Sequence, residues 1–220
     1  MFKTIGTLLI AVALTSLSFA ATPNATPTGT ATIVNINPPV LVIDKLSSGD
    51  ISRSDKWWKF DRLTITDITN KETKEKYILL GGKAQNWYVG GMGTYIGKDA
   101  AEAKAISVKI LGTGKNSGKI KLELVEDDAG SPDVEQDDKF IPIKDDKFTT
   151  REININWTGW KTVTIPVSDL ILANQGNGDG EWNPSTEKDH YGLLSVQVIV
   201  VASSANGDIN FGMKDLELIK

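Results

Sequence analysis

Two stretches of the chain alternate strictly between apolar and polar residues, and this period of two constrains the fold more than any other feature. The first stretch is residues 106–110, with Ile at both ends and Val in the middle, and the second is residues 120–124. Successive side chains of a β-strand point to opposite faces, so each stretch is typical of a strand with one buried face. The glycine-rich segment 112–118 between them predicts that the two strands form a β-hairpin.

The same pattern continues in shorter pieces over the rest of the chain. Further strand candidates are residues 40–44, 63–66, 77–80, 152–156, 161–166, 196–202 and 209–218. Turn residues separate these segments, and the one helical pattern, at 99–104, is short. With about nine strands, the sequence predicts an all-β domain that folds as a two-layer β-sandwich of the jelly-roll kind.

The N-terminal segment predicts export from the cytoplasm. Residues 1–20 contain a basic residue, then an apolar run at 5–14, then small residues before Ala21, which is the order of a cleavable signal peptide. The run is shorter than the roughly 20 residues that span a bilayer, so a signal is favoured over a membrane anchor. Residues 21–39, rich in Thr, Ala and Pro, are interpreted as a spacer before a domain at 40–220. The protein is therefore expected in the periplasm, at the cell surface or in the medium.

Composition excludes several classes of function. The chain has no cysteine, which excludes thiol nucleophiles and thiolate metal sites and leaves stability to the hydrophobic core. A net charge of −4 without a cluster of Lys and Arg argues against nucleic acid or an anionic membrane as a partner. His190 is the single histidine, and no nucleophile-elbow motif accompanies it, so a Ser-His-Asp hydrolase is disfavoured. Carboxylates are too abundant for their presence to indicate a glycosidase.

Four motifs stand in order along the predicted domain. They are LVID at 41–44, WYVGG at 87–91, WTGWKTVTIPVSDL at 157–170 and FGMKDLELI at 211–219. Together they resemble the galactose-binding-like jelly-roll domains of bacterial carbohydrate-binding modules, especially the family 11 type. The most specific piece, Trp160 to Pro166, is similar to the W-x-x-V-x-I-P strand of that family. Leu46 stands where Phe is usual and Lys214 where a second Asp is common, which leaves the subfamily and the ligand open.

The resemblance implies a non-catalytic domain that binds a polysaccharide. Aromatic rings stack on the apolar faces of sugars, while amides and carboxylates form hydrogen bonds with hydroxyl groups. The first candidate segment, 81–95, supplies Gln85, Asn86, Trp87, Tyr88 and Tyr95. The alternative places Trp87 and Tyr88 in the core of a glycine-rich strand. Since adjacent strand residues face opposite sides, at least one of the two is expected to point outward.

A second candidate region is the loop at 173–184, which supplies Asn174, Asp179, Trp182 and Asn183. Three interpretations stay open for it. Trp182 is a stacking platform with polar partners, or Asp179 and Asn177 bind a cation, or Trp182 packs the loop against the sandwich.

Of the other four tryptophans, two are assigned to the structure and two, Trp57 and Trp58, stay ambiguous. Trp157 and Trp160 are assigned to packing, and the resemblance implies that Trp160 lies inside the sandwich. One of Trp57 and Trp58 is expected to cap the core.

The resemblance also implies a structural calcium ion where the first and last strands meet. Asp44 and Asp215, with Glu217 as a further ligand, match those strands and offer the oxygen ligands that calcium prefers. The alternative is that they are surface carboxylates without an ion. A separate acidic segment, 126–146, carries Asp pairs at 127/128, 137/138 and 145/146, and we interpret it as a solvated hairpin loop in preference to a cation site.

Two functions of different classes follow from these observations. The first is a secreted, non-catalytic protein that recognises a polysaccharide. The second is an extracellular or cell-surface structural or adhesion protein that uses the sandwich for protein–protein contacts, self-association included. A sugar binder should present a strip of aligned aromatic side chains, whereas a self-assembling protein should present an exposed apolar patch.

Overall fold

The structure is a computed structural model that describes residues 38–114 and 117–220. The predicted signal peptide and nearly all of the predicted spacer lie outside the described residues. Within these ranges the chain forms thirteen β-strands and two 3-10 turns, at Ile51–Arg53 and Val167–Asp169. In the same ranges no helix has the length and apolar character needed to cross a membrane.

The strands are β1 (Pro39–Asp44), β2 (Trp58–Asp61), β3 (Thr64–Thr69), β4 (Lys76–Lys83), β5 (Tyr88–Lys98), β6 (Ala105–Thr113), β7 (Gly118–Glu126), β8 (Asp146–Thr149), β9 (Ile153–Ile155), β10 (Thr158–Pro166), β11 (Ile171–Leu172), β12 (Leu193–Val201) and β13 (Asp208–Ile219). The first sheet has the order β10-β6-β13-β4-β3, with β1 beside β13. The second sheet has the order β11-β8-β7-β12-β5-β2, with β9 beside β7. These two antiparallel sheets confirm the predicted all-β sandwich.

The core lies between the inner faces of the two sheets. Leu80, Ile110 and Phe211 from the first sheet and Leu122 and Val198 from the second are fully buried there. Each lies on a strand that alternates buried and more exposed positions, which is the pattern expected where one face of the strand is covered.

The predicted hairpin between the first two alternating stretches is wrong. β6 lies in the first sheet, between β10 and β13, whereas β7 lies in the second sheet, beside β12. The connection therefore crosses from one layer to the other. Gly118, where β7 begins, has φ 123°, and a Cβ there would lie 2.9 Å from Ile209 Cγ2. Alternation shows that one face of a strand is buried, but it does not identify the neighbouring strand.

The expected strand count of about nine is too low because β2, β5, β8 and β11 did not have a recognisable pattern. β5 is the longest of these, and four of its eleven residues are glycine, a composition more typical of a loop. The short strands β8 and β11 border acidic or polar segments. The missed strands all belong to the second sheet.

Truncation of a core residue should show how strongly the inner faces hold the sandwich. We expect Phe211→Ala to lower the free energy of unfolding by about 3–5 kcal/mol, because it removes a large, fully buried ring. Phe140→Ala is the matched control, since Phe140 is 77% exposed. Urea unfolding followed by tryptophan fluorescence measures both. Equal losses in the two variants would contradict this description of the core.

Candidate functional site

The outer face of the second sheet carries aromatic side chains packed over glycines. Trp58 of β2 lies directly opposite Gly93 of β5, and Phe60 lies opposite Gly91. A Cβ on either glycine would overlap the ring of its partner, so each ring lies against the bare backbone of β5. This contact explains why β5 contains glycine where a strand usually carries a larger residue.

Tyr95 extends this aromatic group along β5. Its ring centroid lies 4.6 Å from that of Trp58, with the ring planes tilted by 43°. Tyr95 is 69% exposed, while Trp58 is half-buried beside it. We call the surface formed by Trp58, Phe60 and Tyr95 the aromatic patch.

A row of directly opposed residues continues from the aromatic patch across the sheet. The row consists of Trp58, Gly93, Gln197, Glu123 and Thr149 on β2, β5, β12, β7 and β8. Val198 and Met92, one position along, are fully buried, so the row lies on the opposite, outer face. Neighbouring strands are about 4.8 Å apart, and the row therefore extends for about 19 Å.

Charged hydrogen-bonding groups stand at the far part of the row. Glu123 lies between Lys121 Nζ at 2.7 Å and Lys147 Nζ at 2.6 Å. Burial by itself would raise the pKa of Glu123, but the two ammonium groups outweigh it and hold the pKa below its usual range. The carboxylate is therefore ionised at neutral pH. The row thus combines flat apolar rings at one end with fixed donors and acceptors at the other.

The geometry can be compared with known proteins at this point. No protein-family model matches the chain, and no curated protein matches it. Among solved structures, the family 11 carbohydrate-binding module from Clostridium thermocellum in complex with a β-1,3-1,4-mixed-linked tetrasaccharide matches with a TM-score of 0.52 and 15% identity. That match covers 77% of this chain and 92% of the module. The chain has the fold of family 11 carbohydrate-binding modules.

A second family 11 structure gives the same result. The module of the cellulosomal cellulase Lic26A-Cel5E of Clostridium thermocellum matches with a TM-score of 0.51 and 14% identity, over 81% of this chain and 95% of that module. Identities this low establish a common fold and leave the ligand to be argued from this chain's own residues. The predicted family 11-like sandwich is confirmed at the level of the fold.

Of the residues predicted in the first candidate segment, the structure brings Tyr95 into the aromatic patch. Tyr88 begins β5 and is partly exposed. Partial burial is the larger cause, and the hydrogen bond with Asp61 the second cause, of a rise in the pKa of the Tyr88 hydroxyl to about 12. Gln85, Asn86 and Trp87 form the exposed turn between β4 and β5.

Trp87 lies in a strained turn. Asn86 and Trp87 have φ values of 53° and 75°, a region that bulky residues rarely adopt. Trp87 N donates to Ala205 O at 2.9 Å, and Ala202 N donates to Trp87 O at 2.8 Å, so the loop after β12 holds the turn in place. The Trp87 side chain is 47% exposed. It stays a predicted ligand contact at the end of the sandwich, outside the aromatic patch.

In the second candidate region, Trp182 packs against the sheet and does not form an exposed stacking platform. Trp182 is half-buried with its ring edge-on to Phe148, at 5.4 Å between centroids. Asn174 is 5% exposed; its Oδ1 accepts from Lys147 N, and its Nδ2 donates to the carbonyls of Pro142 and Asp145. The interpretation in which Trp182 pins the loop therefore describes this region, and Asn174 is structural. The sequence placed both in a polar loop, but it could not show that the loop folds back on the sheet.

Asp179 and Asn183 are the members of the second region that reach solvent. Asn183 Nδ2 donates to Asp179 Oδ2 at 2.9 Å, and both residues are exposed. They line an open pocket of about 240 Å³ together with Asp127, Asp128 and His190. His190 Nδ1 lies 3.0 Å from Asp127 O, and so this histidine serves the loop structure.

The carboxylates at which the resemblance implies calcium are already paired with lysines. Asp44 accepts from Lys56 Nζ at 2.7 Å and from Trp57 Nε1 at 3.0 Å. Lys109 Nζ lies 2.9 Å from Asp215, and Lys45 forms an ion pair with Glu217. Each of the three carboxylates therefore already has an ammonium group to balance its charge. These three residues do not fit a calcium site.

The remaining tryptophans occupy different faces. Trp57 is buried and caps the core, as expected of one member of its pair. Trp157 is half-buried, with Nε1 3.4 Å from Ile110 O. The expectation that Trp160 lies inside is wrong, because its partner Leu111 is on the outer face of β6; the Trp160 ring packs edge-on against Tyr77 at 5.2 Å.

Sequence reasoning did not assign five residues of the row and patch to a site: Trp58, Phe60, Gln197, Glu123 and Thr149. A signal for two of them was present, since alternation over Trp58-Lys59-Phe60 places both rings on one face. Gly91 and Gly93 alternate in the same way. That these two patterns face each other depends on the pairing of β2 with β5, which the sequence does not contain.

Asp44 allows a test of the ion-pair description. Burial alone would raise its pKa, but hydrogen bonds from Lys56, Leu46 and Trp57 lower it below 3.8. A carboxyl whose folded pKa is lowered stabilises the fold above its unfolded pKa, and this contribution is lost as the pH falls through the folded pKa. We expect Asp44→Asn to cost about 1–3 kcal/mol at pH 7, and the cost to begin to fall below about pH 4 and to vanish once the pH is below the folded pKa of Asp44.

Thermal unfolding between pH 2 and pH 7 measures this difference. Asp133→Asn, at an exposed position of the β7–β8 connection, is the control and should unfold like the wild type. A calcium-dependent stabilisation that disappears in Asp44→Asn would contradict the ion-pair description and restore a cation site at Asp44.

Proposed function

We propose that this protein is an exported, non-catalytic carbohydrate-binding protein that recognises a polysaccharide through the outer face of its second sheet. The observation that supports the proposal most directly is the aromatic patch, where Trp58 and Phe60 lie against the glycines of β5 next to the exposed ring of Tyr95. Rings held in this way are already in place before a ligand arrives, so little side-chain entropy is lost on binding.

The row matches the two chemical faces of a sugar chain. Pyranose rings have apolar faces that stack on aromatic side chains, and their hydroxyl groups need directional donors and acceptors. Gln197, half-buried in mid-row, and Glu123, fixed by its lysines, can provide these hydrogen bonds. A row about 19 Å long favours an extended chain over a single sugar.

The charge state of Glu123 fits a binding role for this residue of the row. Glycoside hydrolysis requires a carboxylic acid with a raised pKa that protonates the leaving group. The pKa of Glu123 is lowered by its lysine partners, so it does not hold a proton for that step at neutral pH. Its role in this proposal is to accept hydrogen bonds from sugar hydroxyl groups.

The first ligand to test is a mixed-linkage β-glucan. The family 11 module with the same fold was solved with a β-1,3-1,4-mixed-linked tetrasaccharide. The sequence departures at Leu46 and Lys214 leave other β-linked polysaccharides as further members of the panel.

Substitutions in the aromatic patch should separate binding from folding. We expect Trp58→Ala and Tyr95→Ala each to weaken retention in a gel that contains mixed-linkage β-glucan about tenfold, which corresponds to about 1.4 kcal/mol for one stacked ring. Affinity electrophoresis measures retention, and circular dichroism shows whether the variants fold. The matched control is Tyr191→Ala, which removes a partly exposed ring from the β11–β12 connection and should bind like the wild type.

Two outcomes would contradict this location. Full retention in Trp58→Ala and Tyr95→Ala together with loss in Trp87→Ala would move the site to the β4–β5 turn. Absence of retention on a broad polysaccharide panel, with oligomers that grow with concentration, would favour the structural or adhesion function.

The proposal that the protein is exported depends on the signal peptide predicted at residues 1–20. We expect the protein isolated from outside the cytoplasm to begin at Ala21, because small residues precede that position after the apolar run. Intact-mass measurement detects the loss of residues 1–20. A chain that keeps Met1 and stays in the cytoplasm would contradict export.

A further inference from the structure

Four carboxylates converge where β7 ends and β8 begins. Glu126 and Asp146 are directly opposite each other in the antiparallel pairing, an arrangement in which like charges are unfavourable. Asp128 follows β7, and Asp179 arrives from the β11–β12 connection. One carboxylate oxygen from each residue lies within 4.8 Å of the others. We call these four residues the acidic quartet.

Two members of the acidic quartet, Glu126 and Asp146, are fully buried and have carboxylate oxygens without a hydrogen-bond partner in the part of the chain that the structure describes. Both carboxylate oxygens of Glu126 and Oδ1 of Asp146 have no donor among the described residues, and both side chains have 0% exposure. The ion pairs of the described ranges include none of the four. A buried carboxylate without a partner is costly, so a native site of this kind needs a proton or a cation.

Glu123 and Glu126 lie on the same strand, three residues apart, but their charged neighbours differ. Glu123 has two lysines, and its pKa is low. Within residues 38–114 and 117–220, Glu126 has no lysine partner, and the carboxylates of Asp128, Asp146 and Asp179 lie beside it. The acidic quartet therefore lacks the positive side chains that stabilise Glu123.

Backbone groups of the β11–β12 connection fix two of these carboxylates. Gly180 N donates to Asp146 Oδ2, and Asp179 N donates to Asp128 Oδ2 at 3.3 Å. A Cβ on Gly178 would overlap Asp128 Oδ2 and lie 2.5 Å from Asp146 Oδ1, so a larger residue at this position would displace one or both carboxylates. Within the described ranges, both oxygens of Glu126 and Oδ1 of Asp146 are left without a hydrogen-bond donor.

We propose that Glu126, Asp128, Asp146 and Asp179 bind one calcium ion that joins the β7–β8 connection to the β11–β12 connection. Four carboxylates and no nitrogen or sulfur ligand suit a hard cation. Calcium accepts six to eight oxygens in irregular geometry, whereas magnesium requires a regular octahedron and keeps several waters. Asp179 is exposed and borders the open pocket, which gives the ion a path from solvent.

This site differs in position and chemistry from the one implied at Asp44, Asp215 and Glu217, where lysines already compensate the charge. The acidic segment 126–146 does connect β7 and β8 as a hairpin, and its middle is largely exposed as expected, but Glu126, Asp127, Asp145 and Asp146 at its two ends are buried. The sequence left open a cation site formed by Asp179 and Asn177. In the structure, the Asn177 side chain instead forms a hydrogen bond, donating from Nδ2 to Pro142 O. The partners of Asp179 come instead from the ends of β7 and β8.

Isothermal titration of metal-free protein with calcium chloride tests the site independently of sugar binding. We expect one calcium per chain, affinity for magnesium at least tenfold weaker, and a melting temperature that rises by about 5 °C at a hundredfold excess of calcium over its dissociation constant. Glu126→Gln and Asp146→Asn should each lower calcium affinity about a hundredfold. Asp138→Asn, an exposed carboxylate of the same connection, is the matched control and should bind calcium like the wild type.

The melting temperature in chelator distinguishes loss of the site from loss of the fold. Glu126→Gln replaces a buried carboxyl group, which has no hydrogen-bond partner in the described chain, with a neutral amide of the same shape, so in chelator it should melt close to the wild-type temperature while failing to respond to calcium. Absence of stoichiometric calcium binding by the wild type would overturn the proposal, and so would wild-type affinity in Glu126→Gln. Equal affinities for magnesium and calcium would overturn the choice of calcium.

Discussion

The apolar contact between the inner faces of the two sheets is the interaction on which the other features depend. Because side chains alternate along a strand, burying Leu122 and Val198 in the core turns Glu123 and Gln197 to the outside. The same rule on β2 and β5 places Trp58 above Gly93. The row of outer-face residues is therefore a consequence of core packing and strand register, and no separate loop is needed to assemble it.

The glycines of β5 show how a sheet can present aromatic rings without a flexible support. A larger residue at Gly91 or Gly93 would occupy the volume of the Phe60 or Trp58 ring. Glycine weakens a strand because it has no side chain to pack. In β5 the rings of Trp58 and Phe60 cover the backbone and take the place of the missing side chains. The patch is thus rigid because packing against β5 restricts both rings.

Carboxylates near the ends of the second sheet are stabilised in two ways. Lysines from neighbouring strands neutralise Glu123, whereas Glu126 and Asp146 meet only other carboxylates and backbone groups. A proton or a cation has to complete the second arrangement. Calcium at the acidic quartet would hold the connection that carries Trp182 and, through Asn174, the backbone of Lys147 at the far part of the row. This links the proposed ion to the shape of the binding face.

The sequence predicted the fold well and the site in part, for reasons that differ between residues. Strands such as β6, β7 and β12 alternate clearly, and the Trp160–Pro166 strand matched a family motif. The glycines of β5 concealed a strand, and the separation of β6 from β7 depends on long-range pairing. Tyr95 was among the predicted ligand contacts. Trp57 and Trp58 could not be distinguished in the sequence, and the register of β2 was needed to place Trp58 on the outer face. Ligands of the acidic quartet lie up to 53 positions apart, and their convergence depends on how two connections fold over one sheet end.

The central claim is that the outer face of the second sheet binds a polysaccharide. Titration of the isotope-labelled protein with a mixed-linkage β-glucan oligosaccharide, followed by amide and indole NMR shifts, tests it residue by residue. The account predicts the largest shifts at the Trp58 indole and at the amides of β5 and β12, centred on Gly93 and Gln197. Shifts confined to the β4–β5 turn at Trp87, or to the outer face of the first sheet around Trp160, would contradict it.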